Sequence, residues 1–328
     1  MLQGKNFAKV WQIALPLLLG AFILAWTYHG MDFSKTWNIL LSETNYGWLF
    51  LSLIFGVLSH IWRGLRWNLT LEPLGEFPKK RNSIYAIFVS YAANLVIPRI
   101  GEVSRCGILN KYDGVSFTKA VGTVVTERII DTLCIGLITL ITLLLQTDIF
   151  TSFFQETGTK EFPFKHLFSS TNFYITLICL LGLCILSFLL LRKLAIYSKF
   201  KNSISNIILG CLSLKNVKNL PLFLLYTVGI WGGYFLQFYL TFFCFDFSAE
   251  LSFSAGLVLF VVGTIAVIVP TPNGAGPWHF AVITMMMMYG IDKENAGIFA
   301  LLVHGIQTIL LALLGIYGLV ALPLTNKK

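Results

Sequence analysis

Two groups of ionisable residues lie where apolar sequence would ordinarily exclude them. Arg99, Glu102 and Arg105 follow a proline break in Asn94-Leu-Val-Ile-Pro98-Arg99-Ile-Gly101-Glu102, and Glu127, Arg128 and Asp131 sit inside a long apolar run. A charge at the centre of a membrane helix costs about 2.5–3.5 kcal/mol on insertion scales, so it needs a partner or a purpose. Guanidinium presents a planar fork that matches phosphate oxygens, which makes Arg99, Arg105 and Arg128 candidate phosphate ligands. At helical spacing Glu102 and Arg105 are i, i+3 neighbours that can pair and hold the segment at head-group level. Glu127 and Asp131 share one helix face, and Arg128 can join them. That cluster is either a structural ion-pair network or a polar group coupled to protons or substrate.

A second break, Val267-Ile-Val-Pro270-Thr-Pro272-Asn-Gly274-Ala-Gly276-Pro277, contains no Lys or Arg. Pro277 fits the first position of a returning helix. The free N–H groups of that helix, with Gly274 and Gly276 allowing close backbone approach, would form an uncharged anion site. A tight turn that merely needs glycine is the simpler alternative. The expected site is thus Arg99, Arg105, Arg128, Gly274 and Gly276 for a lipid phosphate. Glu102, Glu127 and Asp131 would couple charge, and Asn94, Pro98, Gly101, Pro270, Pro272 and Pro277 make the breaks. No metal-ligand spacing is present and no cofactor is expected. Trp278, His279, His304 and Gln307 read singly as packing residues, and Met285–Met288 as apolar filler.

The elements that must position these residues are membrane helices. The 328-residue chain is 56% hydrophobic and 12% charged, which excludes a soluble domain. About 20 apolar residues cross the hydrocarbon core, giving six spans: Trp11–Tyr28, Tyr46–Trp62, Ala120–Gln146, Phe173–Leu191, Pro221–Cys244 and Ala296–Leu322. The first is long for a signal peptide and lacks a cleavage site, so it reads as retained. Ile84–Ile97 with Arg99–Leu109, and Leu251–Val269 with Trp278–Tyr289, are too short to cross and return as full spans. Both pairs read as proline-broken re-entrant hairpins, although Leu251–Val269 alone could cross. A break in a spanning helix frees backbone groups that hydrocarbon cannot satisfy, so it persists only inside protein or beside a wet cavity. The six cysteines show no C-x-x-C spacing and read as apolar filler.

The 24 Lys and Arg residues orient the layout. With both termini cytoplasmic, the basic stretches fall inside, including Arg63 and Arg66 just beyond the second span. Only Lys35, Lys160, Lys165 and Lys293 fall outside. The net charge of +9 is then a topology signal and an attraction to anionic lipid, and nucleic acid is not an expected partner. Each half reads span, span, broken hairpin, long span. The expectation is an all-α polytopic membrane protein, one transmembrane domain over 1–328. Its inverted halves are about 1–146 and 171–328, joined by an external loop 147–170. Inverted repeats with discontinuous helices suit alternating access around a midplane site.

No H-E-x-x-H, P-loop or G-x-S-x-G motif occurs, which argues against an enzyme and against ATP as the driving force. The residues Asn94-x-x-x-Pro98-x-x-Gly101-Glu102-x-x-Arg105, Glu127-Arg128-x-x-Asp131 and the Pro270/Gly274/Gly276 tip resemble the transmembrane, flippase-like region of lysylphosphatidylglycerol synthases. The resemblance spans nearly the whole chain and suggests a stand-alone form without the cytosolic aminoacyl-transfer domain. It implies a protein of the bacterial cytoplasmic membrane that moves an anionic or lipid-linked head group between leaflets. The implied partners are a membrane phospholipid or lipid-linked substrate and a separate enzyme that makes it. His279 departs from the pattern, which often carries an acidic residue nearby. A membrane subunit of a lipid-modifying group-transfer enzyme, or a membrane scaffold, are the alternatives.

Overall fold

The computed structural model describes residues 2–147 and 216–327 together with 205, 209, 210 and 212, with residues 2–13 as backbone alone. The expected span Phe173–Leu191, nearly all of the joining loop 147–170, and the basic stretch from Arg192 lie outside the described residues. So do Lys160, Lys165, Cys179, Cys184 and Cys211.

Among the described residues the regular structure is helical. The principal helices are α1 (Leu2–Thr27), α2 (Phe33–Ser42), α3 (Tyr46–Leu71), α4 (Lys80–Ala93), α5 (Ile100–Asp113), α6 (Phe117–Leu145), α7 (Leu220–Tyr239), α8 (Phe253–Ala266), α9 (Pro277–Met288) and α10 (Lys293–Thr325). Side-chain caps set several starts: Asp32, Asn45, Asn219, Ser252 and Asp292 each accept from backbone N–H groups of the first turn. Four segments are long and apolar enough to cross a membrane: Tyr46–Leu74, Phe117–Leu145, Leu220–Cys244 and Lys293–Thr325. These match four of the six expected spans. The first expected span, Trp11–Tyr28, coincides but for its last residue with the second part of α1, whose fully described apolar part, Ala14–Thr27, is shorter than a crossing.

One boundary differs. The sequence suggests that the second span ends at Trp62, but α3 continues helical to Leu71 and carries Arg63 and Arg66 with it. Both are buried, at 2% and 0% exposure, so they are interior residues and not flanking positive charges. The continuation is stable because α3 buries this end against α4, α6 and α7.

Close packing relies on small residues, as is common between membrane helices. A Cβ on Gly233 of α7 would overlap Ser59 of α3, and one on Gly315 of α10 would overlap Ala92 of α4. By contrast, α6 leaves Leu133, Leu137 and Leu144 exposed along its outer stretch, the surface expected to face lipid.

The two broken helix pairs are present. Residues 94–99 interrupt α4 and α5, and residues 267–276, with a short 3-10 turn at Pro272–Gly274, interrupt α8 and α9. Their bases lie at opposite ends of α10, a helix about 50 Å long at 1.5 Å per residue. At its C-terminal end Arg81 donates to the Thr325 carbonyl (2.7 Å) and Asn82 meets Asn326. At its N-terminal end α9 turns into it at Gly290, and the Lys35 ammonium meets Glu294 (2.9 Å). That exposed pair raises the Lys35 pKa above its ordinary value through the hydrogen bond and charge of Glu294. The second tip is held near mid-helix: Asn273 donates to Thr308 Oγ1 (3.0 Å), and His304 Nε2 lies 3.1 Å from the Asn273 carbonyl. The two broken helix pairs therefore start from opposite ends of α10, and the second tip reaches its middle.

Candidate functional site

The first tip is built by sequence-local contacts. Asn94 ends α4, and its side-chain oxygen accepts from the Gly101 N–H (2.8 Å), closing the break. Gly101 is required there because a Cβ would collide with the Ser90 carbonyl. Arg99 adopts a left-handed backbone (φ 64°), a conformation that costs an L-residue roughly 1–2 kcal/mol. Asn273 does the same at the second tip (φ 52°). Each tip thus holds one strained, non-glycine residue. Arg99 bridges the two by donating to the Ile268 carbonyl (3.3 Å).

Beneath the first tip lies a buried ion network. Asp131 receives Arg63 Nη1 on one oxygen (2.6 Å) and Arg66 Nη2 on the other (2.9 Å). Glu127 pairs with Arg105 (2.6 Å) and lies 3.5 Å from Arg66. Arg105 also stacks over the Trp67 ring, 4.6 Å from its centroid. Arg128 is half-exposed and reaches Glu102 (3.0 Å) and Asp131 (3.7 Å). The expected Glu102–Arg105 pairing within α5 does not form. One turn apart, Arg105 points inward to Glu127 and Glu102 points to the open side and Arg128, so the pairs run between α5 and α6.

A cavity of about 530 Å³ opens between the tips, lined by Asn94, Pro98, Arg99, Glu102 and Arg128 from one side and by Pro270, Thr271, Asn273 and Gly274 from the other. A chamber of about 330 Å³ continues from it, sharing Tyr91, Arg128, Thr264 and Val267. The structure thus brings Arg99, Arg128, Glu102 and Gly274 to one space. Arg105 and Glu127 stand behind the wall. Gly276 and Pro277 are elsewhere: a Cβ on Gly276 would strike the Gly20 carbonyl and Ile23 of α1, and the Gly276 N–H faces His279 Nδ1 (3.4 Å). The start of α9 is therefore packed on α1, and it does not open to the cavity as an anion site. The His279 and His304 rings meet at a tilt (centroids 4.5 Å apart, 57° between planes) as buried packing groups.

Sequence reasoning missed Arg63 and Arg66. Their i, i+3 spacing at the end of an apolar run looks like a cytoplasmic flank. The signal that identifies them is the run of helix-compatible, largely apolar residues that continues to Leu71. Among the described residues no group of His, Cys, Asp or Glu is placed to hold a metal, and Cys106, Cys134 and Cys244 are free thiols.

The lysylphosphatidylglycerol synthase TM region family matches residues 13–315. The chain belongs to that family. Together with the four long apolar helices, this makes it a multi-pass membrane protein of a lipid-related family. No curated protein and no solved structure matches it.

Across the site, five arginines (Arg63, Arg66, Arg99, Arg105, Arg128) stand against three carboxylates (Glu102, Glu127, Asp131). The buried pairs largely neutralise each other. The surplus positive charge falls on the cavity, where Arg99 has only a backbone carbonyl among the described residues and Arg128 is accessible.

Proposed function

We propose that the protein is a flippase that moves an anionic or lipid-linked head group between the leaflets of the cytoplasmic membrane. The observation that carries this reading is the cavity between the two broken tips, with surplus guanidinium on its wall. A phospholipid head crosses about 30 Å of hydrocarbon slowly because its charge must shed water. A polar stop midway lowers that barrier while the acyl tails remain in lipid. Arg99 and Arg128 would hold the phosphate, and Asn273 and the bare backbone at Gly274 would face it from the other hairpin. Arg63, Arg66 and Arg105, locked by Glu127 and Asp131, would keep α5 and α6 in register so that Arg128 is presented. Glu102 would release Arg128 to an incoming phosphate, coupling the site to substrate. Hairpins entering from opposite ends of α10 are what an inverted repeat requires, and alternate opening on either side of the tips would give access to each leaflet in turn.

The test is the lipid that accompanies the protein through purification in mild detergent. A phosphate-bearing lipid retained by the parent and reduced in Arg128→Gln supports the reading. Equal lipid content in both, with both folded, contradicts it.

A further inference from the structure

The chamber behind the phosphate cavity has a chemistry of its own. Gln237 of α7 is 7% exposed, lies on the chamber wall and makes no hydrogen bond to any described residue. An amide that opens on a cavity and has no partner among the described residues is free to donate to and accept from a bound molecule. Room is made for it deliberately: Gly56 of α3 faces it, and a Cβ there would collide with the amide. Gln307 of α10 brings a second amide to the same wall, also without a hydrogen bond among the described residues. Much of the remaining surface is aromatic, chiefly Trp231, Tyr234 and Trp278, and the mutually engaged Arg63, Arg128 and Asp131 complete the polar part of the wall.

Aromatic walls could also cage a cationic head. Here the electrostatics oppose it. Among the described residues the one carboxylate on the chamber, Asp131, is already engaged by Arg63, Arg66 and Arg128. Among the described residues a cation would find surplus positive charge and no free acid. Uncharged amides and ring faces, next to a guanidinium that takes a phosphate, instead suit a neutral head rich in hydroxyls. Amides donate to and accept from hydroxyls, and ring faces cover the apolar C–H edges. At about 330 Å³ the chamber lies within the size range of small-molecule sites.

We propose that the substrate is a lipid phosphodiester with a neutral polyol head, most naturally a sugar, with the phosphate at Arg99 and Arg128 and the polyol between Gln237, Gln307 and the aromatic wall. This rests on the flippase reading for the identity of the phosphate cavity, but binding alone tests it.

The experiment measures affinity of the purified chain in lipid nanodiscs for four single-chain probes. They are hexadecyl phosphoglucose, hexadecyl phosphoglycerol, hexadecyl methyl phosphate and hexadecylphosphocholine. The phosphoglucose should bind about tenfold or more tighter than the methyl ester, which has the same charge and no head, and the choline probe should bind weakest. Phosphoglucose above phosphoglycerol assigns a sugar ring; equality of those two supports the polyol chemistry with glycerol as its source. In Gln237→Leu the ratio of phosphoglucose to methyl-ester affinity should fall about tenfold. Gln307→Leu provides the same readout if Gln237→Leu does not fold. Equal affinity for the phosphoglucose and the methyl ester, tightest binding of the choline probe, or unchanged ratios in folded variants overturns the proposal. Polyol-selective binding with no movement of lipid between leaflets would overturn the flippase reading alone.

Discussion

Replacing Asp131 by Asn tests whether the buried network organises the site. The carboxylate takes two short charge-assisted bonds, 2.6 Å from Arg63 and 2.9 Å from Arg66, and all three side chains are at most 9% exposed. The amide keeps the shape and removes the charge. Arg66 retains Glu127 at 3.5 Å, but Arg63 loses its only carboxylate within salt-bridge distance among the described residues. Breaking a buried pair by removing one partner costs about 3–5 kcal/mol, because the remaining charge stays desolvated. On the scaling of globular domains that lowers the melting temperature by on the order of 10 °C. The assay is thermal unfolding in detergent at a fixed scan rate, with two comparisons. Adding Arg63→Gln to Asp131→Asn should cost about 1–3 kcal/mol less than the sum of the singles, since the stranded charge is gone. Lys35→Ala, which breaks the exposed Lys35–Glu294 pair, should leave the melting temperature unchanged, because exposed pairs contribute little. A melting temperature for Asp131→Asn equal to that of the parent, or strict additivity in the double variant, would refute the reasoning.

The tips make further predictions. Gly101→Ala should lower stability by about 1–3 kcal/mol, because its methyl group would displace the Ser90 carbonyl and part α4 from α5; Asn94→Ala should cost about 1 kcal/mol by opening the bond to the Gly101 N–H. Arg99→Gly relieves a left-handed backbone, so thermal unfolding should show equal or slightly higher stability while lipid exchange in liposomes falls. Single cysteines at Phe77 and Lys293, in a background without native cysteines, mark the bases of the two hairpins. They should react with an impermeant maleimide from opposite sides of the membrane, and labelling from one side would refute the opposed entry.

Much of this arrangement is legible in the sequence because membrane physics leaves few choices. Pro98 stops an apolar run too short to cross and Pro270 precedes a return arm too short to cross, and the structure breaks its helices at both places. Glu127 and Asp131, four residues apart in an apolar run, had to find partners, and they did. The partners were harder to see. Arg63 and Arg66 lie where a positive flank is also expected, and only tertiary contact with α6 distinguishes the two roles. The exchange of partners between Glu102–Arg128 and Arg105–Glu127 is equally invisible, since i, i+3 spacing permits a pair within α5 that packing against α6 outcompetes. Gly276 illustrates a third ambiguity. A glycine that lets a ligand approach and a glycine that lets a helix approach have the same sequence signature, and here the neighbour is α1. Gln237 carries no signal at all until the fold sets its amide on the chamber wall with no partner among the described residues.

The central claim is that the two broken hairpins together give a lipid phosphate a stop between leaflets. Its most direct test is the rate at which a head-group-labelled anionic lipid becomes accessible to an impermeant quencher in liposomes containing the purified protein. The rate should rise well above that of protein-free liposomes. The Arg99→Gln/Arg128→Gln double variant, with matched melting behaviour, should slow it by about tenfold or more, since each charged hydrogen bond to phosphate contributes about 1.5–3 kcal/mol. Folded parent protein that gives no acceleration with any anionic or lipid-linked probe, with or without a proton gradient, or a double variant as fast as the parent, would contradict the account.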